Sequence, residues 1–486
     1  MNENIARRHF LTKSIAAVGG AMLGSLALSK SSTANSTASE KAMSGLRKQL
    51  KGKLLLPGEG DYAAARLLRN RAIDNMPLCI AQCATPSDVQ RCIEFAQRHE
   101  LPAAVRGGGH HSAGFATVDG GLVIDLSKMP NLTIDKKART ATAQPGVMVG
   151  QLNLEAPQQG LVLPTGMILT IGMGGMTLGG GEGWLASSLG LTCDNLVSAE
   201  VATADGRLLR ASSSENADLL WGLRGGGGNF GVVTELQYRL HDLEDIVAGT
   251  IVYPAANAAD IMRRWRDVVE KDQNELVSLA LFVRAPEPMI IVGVCHFGSA
   301  SKAEAAIAPL RDLDKPLVTN IRGMSPFDAQ FVFSAQDPPP NLANYCRSHY
   351  MQHLSDDMIK TYIDSGNRIA SPYSDVWLVR YTGAFRDPNA AAAAAYPHRH
   401  TPYQFGVTSQ WLSDQKADQH IAWARQSWLD MAPLASGEIY SNFSSESVVD
   451  GGAAPYGVNY ARLQQLKKKF DPSNFFNRNF NITPAA

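Results

Sequence analysis

The spacing of apolar and polar positions changes several times along this chain, and each change marks an element. Val89, Cys92, Ile93 and Ala96 recur at helical intervals behind Thr85-Pro86-Ser87-Asp88. A capping side chain, an early proline and an acid in the first turn predict a helix there, running to about His99. Ala103-Ala104-Val105 reads as a short strand entering a glycine run, residues 122–126 as a buried strand and residues 147–159 as a helix. Residues 200–203 and 207–210 flank Asp205-Gly206, a hairpin signal. Residues 232–240 alternate like a strand with one wet face.

Past about residue 245 the glycine clusters stop. Ile261, Trp265, Val268 and Val269 predict an amphipathic helix, followed by strands at 279–283 and 290–297 and a helix at 302–310. Strands at 376–381 and 403–411 are separated by the alanine run 390–395. Helices follow at 419–431 and 458–470, the last ending at Asp471-Pro472. Helices beside strands without regular βαβ alternation predict an α+β chain whose second part is an antiparallel sheet covered by helices. The expected division is a leader and spacer over 1–40, a first domain over 41–245, a second over 246–435, and a segment over 436–486 that returns to the first.

Composition narrows the classes. The chain has 486 residues, with 45 Lys plus Arg against 45 Asp plus Glu, so no nucleic-acid footprint is expected. Its six cysteines form no CxxC pair and no zinc spacing, so no metal is expected, and they are too sparse for a disulfide scaffold. Neither G-x-S-x-G nor H-E-x-x-H occurs, which removes the support for a serine hydrolase or a zinc peptidase.

The apolar run 15–28 is shorter than the ~20 residues of a membrane span, so no stable span is expected. With Arg7-Arg8-His9-Phe10-Leu11 before it, it resembles a twin-arginine signal. That resemblance implies the twin-arginine export machinery as a partner and a periplasmic or secreted destination. An uncleaved anchor helix is the alternative. The route carries folded proteins, commonly already loaded with a cofactor, and it favours free thiols over disulfides.

Three glycine clusters lie at 107–109, 172–183 and 225–231. Glycine lets backbone amides approach an anion without a Cβ in the way, so several such loops suit a dinucleotide pyrophosphate; tight turns without a ligand are the plain alternative. No cluster has the G-x-G-x-x-G spacing of a nicotinamide-type Rossmann unit.

Val105-Arg106-Gly107-Gly108-Gly109-His110, Gly190-Leu191-Thr192-Cys193-Asp194-Asn195 and Leu223-Arg224-Gly225-Gly226-Gly227-Gly228-Asn229-Phe230-Gly231 occur in that order. Tyr396-Pro397-His398-Arg399, Tyr440-Ser441-Asn442-Phe443 and Phe470-Asp471-Pro472-Ser473-Asn474-Phe475-Phe476 follow. Together they resemble the berberine-bridge-enzyme-like FAD-linked oxidases, of the vanillyl-alcohol-oxidase type, over nearly all of the chain after the signal. The resemblance implies a two-subdomain p-cresol-methylhydroxylase (PCMH)-type FAD-binding domain plus a substrate domain. By position, His110 matches the histidine bonded to the flavin 8α-methyl group and Cys193 the cysteine bonded to C6, with His111 the alternative for the first. Two bonds raise the reduction potential of the ring and let the site stay open to bulky substrates. The rest of the implied cofactor-binding set is Arg106, Gly107, Gly108, Gly109, Gly114, Gly174, Gly175, Thr177, Gly180, Gly181, Asn195, Gly228, Gly231 and Asn442.

The family mechanism passes hydride from substrate carbon to flavin N5 while a nearby base takes a proton from O–H or N–H. Carbohydrate-oxidising relatives read Tyr-x-Asn-Tyr in the tail, where this chain has Phe443, which takes no proton. Tyr440, Tyr403 and Tyr381 are the remaining candidates. Glu182, inside the second cluster, is expected to point away from a pyrophosphate or toward substrate. The expected activity is oxidation of an alcohol-type or carbohydrate-like small molecule or oligosaccharide, with O2 or another electron acceptor. Oxidative cyclisation or desaturation of a secondary metabolite is the alternative, and a flavin-free binding protein on the same scaffold is the alternative from another class.

Overall fold

Short strands build the first half, one of them feeding a glycine-rich connection. In the computed structural model, which describes residues 41–271, 275–284, 286–332, 339–446 and 453–486, the expected leader and spacer lie outside the described residues. Residues 41–49 form a helix, assigned to a unit separate from the one running from Lys51 to Ala486. In the larger unit, β1 (Lys53–Leu55), β2 (Cys79–Gln82), β3 (Ala103–Arg106) and β4 (Leu122–Asp125) form a sheet in the order β1-β2-β4-β3. The β2–β4 and β3–β4 pairs are parallel, so β3 delivers the first glycine cluster at the sheet's end. The helix Pro86–Arg98 begins as expected, with Thr85 Oγ1 accepting from the Asp88 amide at 3.3 Å. The helix expected at 147–159 is shorter, Val149–Glu155, and ends before Pro157.

A second, antiparallel sheet runs β5 (Leu132–Asp135), β6 (Thr140–Ala143), β10 (Val232–Arg239), β8 (Leu196–Ala202) and β9 (Leu208–Ser212). Two short strands, β7 (Leu161–Val162) and β11 (His241–Asp242), pair beside it. The C-terminal helix Tyr460–Phe470 returns to this half: Leu463, Leu466 and Phe470 share a core with Leu219, Leu223, Phe230 and Leu236.

The third sheet is antiparallel throughout, in the order β15-β12-β14-β13-β17-β18-β16. Its strands are β12 (Ile246–Pro254), β13 (Leu276–Arg284), β14 (Pro288–Phe297), β15 (Val318–Gly323), β16 (Leu342–Met351), β17 (Asp375–Arg380) and β18 (Tyr403–Leu412). Because side chains alternate along a strand, Val376 and Leu378 meet Trp265, Tyr362 and Ala424 of the covering helices. Trp377, Val379 and Tyr381 turn the other way, into a core shared with Trp184, Leu191 and Cys193. The fold is thus α+β: a glycine-rich half carrying the expected substrate sheet, which has one face on helices and the other on that half. β16 and the helix Asp356–Asn367 were not foreseen; β16 has buried polar residues on both faces, which hides its alternation.

Candidate functional site

The first two glycine clusters meet backbone to backbone. A Cβ on Gly108 would fall 2.4 Å from the Gly172 nitrogen, and one on Gly172 2.5 Å from the Gly108 nitrogen, so neither loop tolerates a side chain. Gly175 is exposed within an otherwise largely buried helix, Met173–Gly179, and a Cβ there or on Gly228 would meet nothing within 4 Å. Bare backbone facing open space suits a close-lying ligand. Gly107 and Gly174 instead face Pro145, Gly109 faces Leu68, and Gly114 and Gly231 pack on Ile73 and Val201.

The loop after Gly109 separates the two histidines. His111 has both ring nitrogens engaged: Nε2–H donates to the Ser441 carbonyl at 3.0 Å and Nδ1 accepts from the Ala113 amide at 3.2 Å. His110 shares one hydrogen bond, Nε2 with Thr170 Oγ1 at 2.9 Å, and its Nδ1 has no partner among the described residues. Burial lowers both imidazoles to about 4, with the Arg69 charge adding to the effect at His110, so each ring is neutral at pH 7.

Cys193 sits on a tight turn pinned to the second cluster, its amide donating to the Gly180 carbonyl at 2.9 Å and that of Thr192 to Gly181 at 3.1 Å. A Cβ on Gly181 would lie 2.3 Å from Thr192 Oγ1. Burial pushes the Cys193 thiol well above its ordinary range, with the Asp194 charge as the next cause.

Between this turn and the substrate sheet lies a cluster of phenols around one carboxyl group. Tyr440 Oη accepts from the Gly181 amide at 3.0 Å and from Asn442 Nδ2 at 3.1 Å. Gly179 leaves room for the Asn442 amide, which a Cβ would meet at 2.3 Å. Phe443 packs edge-on to Tyr440 and Trp377, with ring centres 5.1 and 5.5 Å away. Glu182 turns into this cluster: its Oε1 accepts from Tyr396 Oη at 2.7 Å and from Tyr350 Oη.

Tyr381 and Tyr440 belong to the core that contains Cys193, whereas Tyr403 does not. It lies on the helix-covered face, packs near Trp265 and donates to Glu270 Oε1 at 2.9 Å. One-residue alternation in β18 thus removes Tyr403 from the candidate bases. Three members of the expected cofactor set also have other employment. Arg106 pairs with the buried Asp125 at 2.6 Å, Thr177 Oγ1 shares a 2.8 Å bond with Tyr238, and Asn195 Nδ2 caps the Leu189 and Leu191 carbonyls. Sequence reasoning missed Tyr350 and Gln404 because they reach the site only through sheet register. Tyr396 and Arg399 stood in a recognised motif without an assigned role.

The described residues contain no group of three or more side chains able to hold a metal ion. Residues 77–212 match the model of an FAD-binding domain and residues 439–483 that of berberine and berberine-like proteins. An FAD-linked oxidoreductase of Dictyostelium discoideum is 31% identical over 422 residues, 85% of this chain and 90% of its own. The crystal structure of 6-hydroxy-D-nicotine oxidase from Arthrobacter nicotinovorans superposes with a TM-score of 0.84 at 28% identity, covering 90% of this chain and 98% of that one. A carbohydrate oxidase from Microdochium nivale shares the fold, with a TM-score of 0.82 at 23% identity over 92% of this chain and all (100%) of its own. Glycine-lined backbone, a turn pinned at Cys193 and a substrate sheet closing over both belong to one family: this chain is a berberine-bridge-enzyme-like FAD-linked oxidoreductase.

Proposed function

We propose that this enzyme holds its FAD through two covalent bonds, at His110 and Cys193, and oxidises an alcohol-type or carbohydrate-like substrate with O2 as the final acceptor. The observation that carries the reading is the common core of Cys193 with Tyr381, Tyr440 and Trp377: Cys193 lies against the substrate sheet, which supports it as the second attachment point. The residues present fit the cofactor. The open backbone at Gly175 and Gly228 leaves room for it, and the unpartnered Nδ1 supports His110 over His111 as the attachment residue. When bound, FAD supplies the two-electron acceptor for the substrate C–H bond. His110 and Cys193 would hold the ring, and Trp377, Val379 and Tyr381 share the core of Cys193 and would lie near it.

Relatives that oxidise a hydroxynicotine and a carbohydrate mark two ends of the substrate range to be tried here. Phe443, in place of a proton-accepting tyrosine, favours cyclisation or desaturation of a secondary metabolite as the second reading. The leader is proposed to send the protein to the periplasm; Arg7→Lys with Arg8→Lys should leave it in the cytoplasm on cell fractionation.

The test is the intact mass of acid-precipitated protein. Wild type should retain one FAD after washing, and His110→Ala or Cys193→Ala should each retain it through the other bond. Flavin lost from the wild type overturns the double attachment. Peroxide release under air is then followed with xylobiose, 6-hydroxynicotine and 4-hydroxybenzyl alcohol, and absence of flavin reduction by all three counts against the substrate reading.

A further inference from the structure

Glu182 is a carboxyl group in an unusual position. It is only 5% exposed, stands between Gly181 and Gly183, and both of its phenol partners donate to the same oxygen, Oε1. Its Oε2 is buried with no hydrogen-bond partner among the described residues. A buried oxygen without a hydrogen bond is costly, so its retention calls for a partner that arrives with a ligand. Gln404, from β18, lies on the same side of the sheet and close enough to Glu182 to lower its carboxyl, yet both polar atoms of its amide are buried without a hydrogen bond of normal geometry. Glu182 also adjoins the Cys193 turn, because Gly180 and Gly181 carry the hydrogen bonds that pin that turn.

We propose that Glu182 is the group that takes the proton from the substrate's O–H or N–H, with Tyr350 and Tyr396 as positioning residues that hold it through Oε1. This rests on the oxidoreductase reading above. The O–H or N–H bond breaks, its proton goes to Oε2, and the electron pair left behind forms the new double bond to carbon. The same carbon gives up its hydrogen with two electrons to the FAD, so substrate is oxidised by two electrons and cofactor reduced by two.

The surroundings suit the role. Burial raises the Glu182 carboxyl to about 7, against the lowering pull of Tyr350, Tyr396, Arg399 and Gln404. Around it stand Tyr350 of β16, Gln404 of β18, Tyr381 after β17, Tyr396 and Arg399 of the following loop, and Tyr440 of the tail. Arg399 is already committed to Asp194. Burial pushes all four phenols up, so at neutral pH they are donors and the carboxylate is the acceptor. Behind Tyr350, its stacking partner His398 is occupied by the Pro455 carbonyl and Glu438. Glu182 thereby supplies the proton acceptor that Phe443 withholds.

The experiment has two arms on the flavin-loaded enzyme. In the first, the infrared carbonyl stretch of a protonated carboxyl is followed from pH 5 to 9 without substrate, in wild type and Glu182→Gln. A band that titrates near pH 7 in wild type and is missing from the variant is expected. No such band, or one unchanged in the variant, overturns the proposal. In the second, anaerobic flavin reduction is timed with each of the three substrates named above. The wild-type rate should rise with pH through about 7. Glu182→Gln should lose about 10²–10⁴-fold with the rise abolished and KM little changed. Glu182→Asp should keep the rise at lower rate, and Tyr396→Phe should shift its midpoint. A Glu182→Gln enzyme with retained covalent flavin and wild-type rate and profile refutes the assignment. If that variant fails to fold, a midpoint unmoved in both Tyr350→Phe and Tyr396→Phe does so. Should no substrate reduce the flavin, the substrate reading fails, and the carbonyl titration still decides Glu182.

Discussion

Arg399 grips Asp194, the residue after Cys193, through two hydrogen bonds: Nη1 to Oδ2 at 2.9 Å and Nη2 to Oδ1 at 2.5 Å, with side chains 5% and 7% exposed. The same Asp194 carboxylate accepts from the Leu191 amide at 2.8 Å, so the pair locks the turn that presents the thiol. Removing one partner of a buried pair strands the other charge. Arg399→Ala should cost about 3–5 kcal/mol, read as a lowered Tm. In a His110→Ala background it should also lower the fraction of flavin that survives acid precipitation.

The histidine pair makes a sharper distinction. His111→Ala gives up the bond to the Ser441 carbonyl and the contact with Phe115, so a modest loss of stability is expected, about 1 kcal/mol. Its covalent flavin should remain complete. His110→Ala should abolish the 8α bond and leave attachment through Cys193 alone. Digestion and mass spectrometry of the flavin peptide check both.

The tail is held by a buried cation. Lys467 Nζ donates to Asp471 Oδ2 at 2.7 Å, to the Asn229 carbonyl at 2.8 Å and to Phe476 at 2.9 Å. Asp471 in turn accepts from the amides of Phe475 and Phe476. Lys467→Met leaves Asp471 unpaired in the interior and should destabilise by about 3–5 kcal/mol, measured by denaturant unfolding. Loosening of the tail should appear as faster amide exchange around Tyr440–Phe443.

Glu182 also imposes a pH dependence on stability. Its carboxyl stands at about 7 in the folded chain against 4.5 as the ordinary value, chiefly through burial. The folded state therefore binds the proton more tightly, and this contribution is fully present below about 4.5 and lost as pH rises through about 7. Glu182→Gln removes that loss. The unfolding free energy of the variant relative to wild type should move in the variant's favour from pH 6 to pH 8.5 by about 1.4 kcal/mol, read by denaturant unfolding at each pH. A difference independent of pH would count against a raised carboxyl.

How much was legible beforehand differs from element to element. The helix Pro86–Arg98 and the strands β13, β14, β17 and β18 were read because local spacing decides them: a capped start, a period of 3.6 or a period of 2. β16 was missed because Arg347, Ser348 and His349 are buried polar residues, and a hydropathy pattern takes such a stretch for loop. Tyr403 and Tyr381 looked equivalent in the sequence. They diverge because Tyr403 follows the inward-facing register of β18, while Tyr381 follows Trp377 and Val379 on the other face.

By itself, the sequence determined the family and the glycine loops and pointed to His110 and Cys193, because each depends on residue type at short spacing. Only the tertiary structure decided which histidine has a nitrogen to spare, which tyrosine faces the cofactor half, and that Glu182 lies among phenols with one oxygen unsatisfied. Those properties arise where segments 168 and 214 residues apart in the chain meet Glu182. Burial and hydrogen bonding are set by such long-range contacts, which local spacing does not encode.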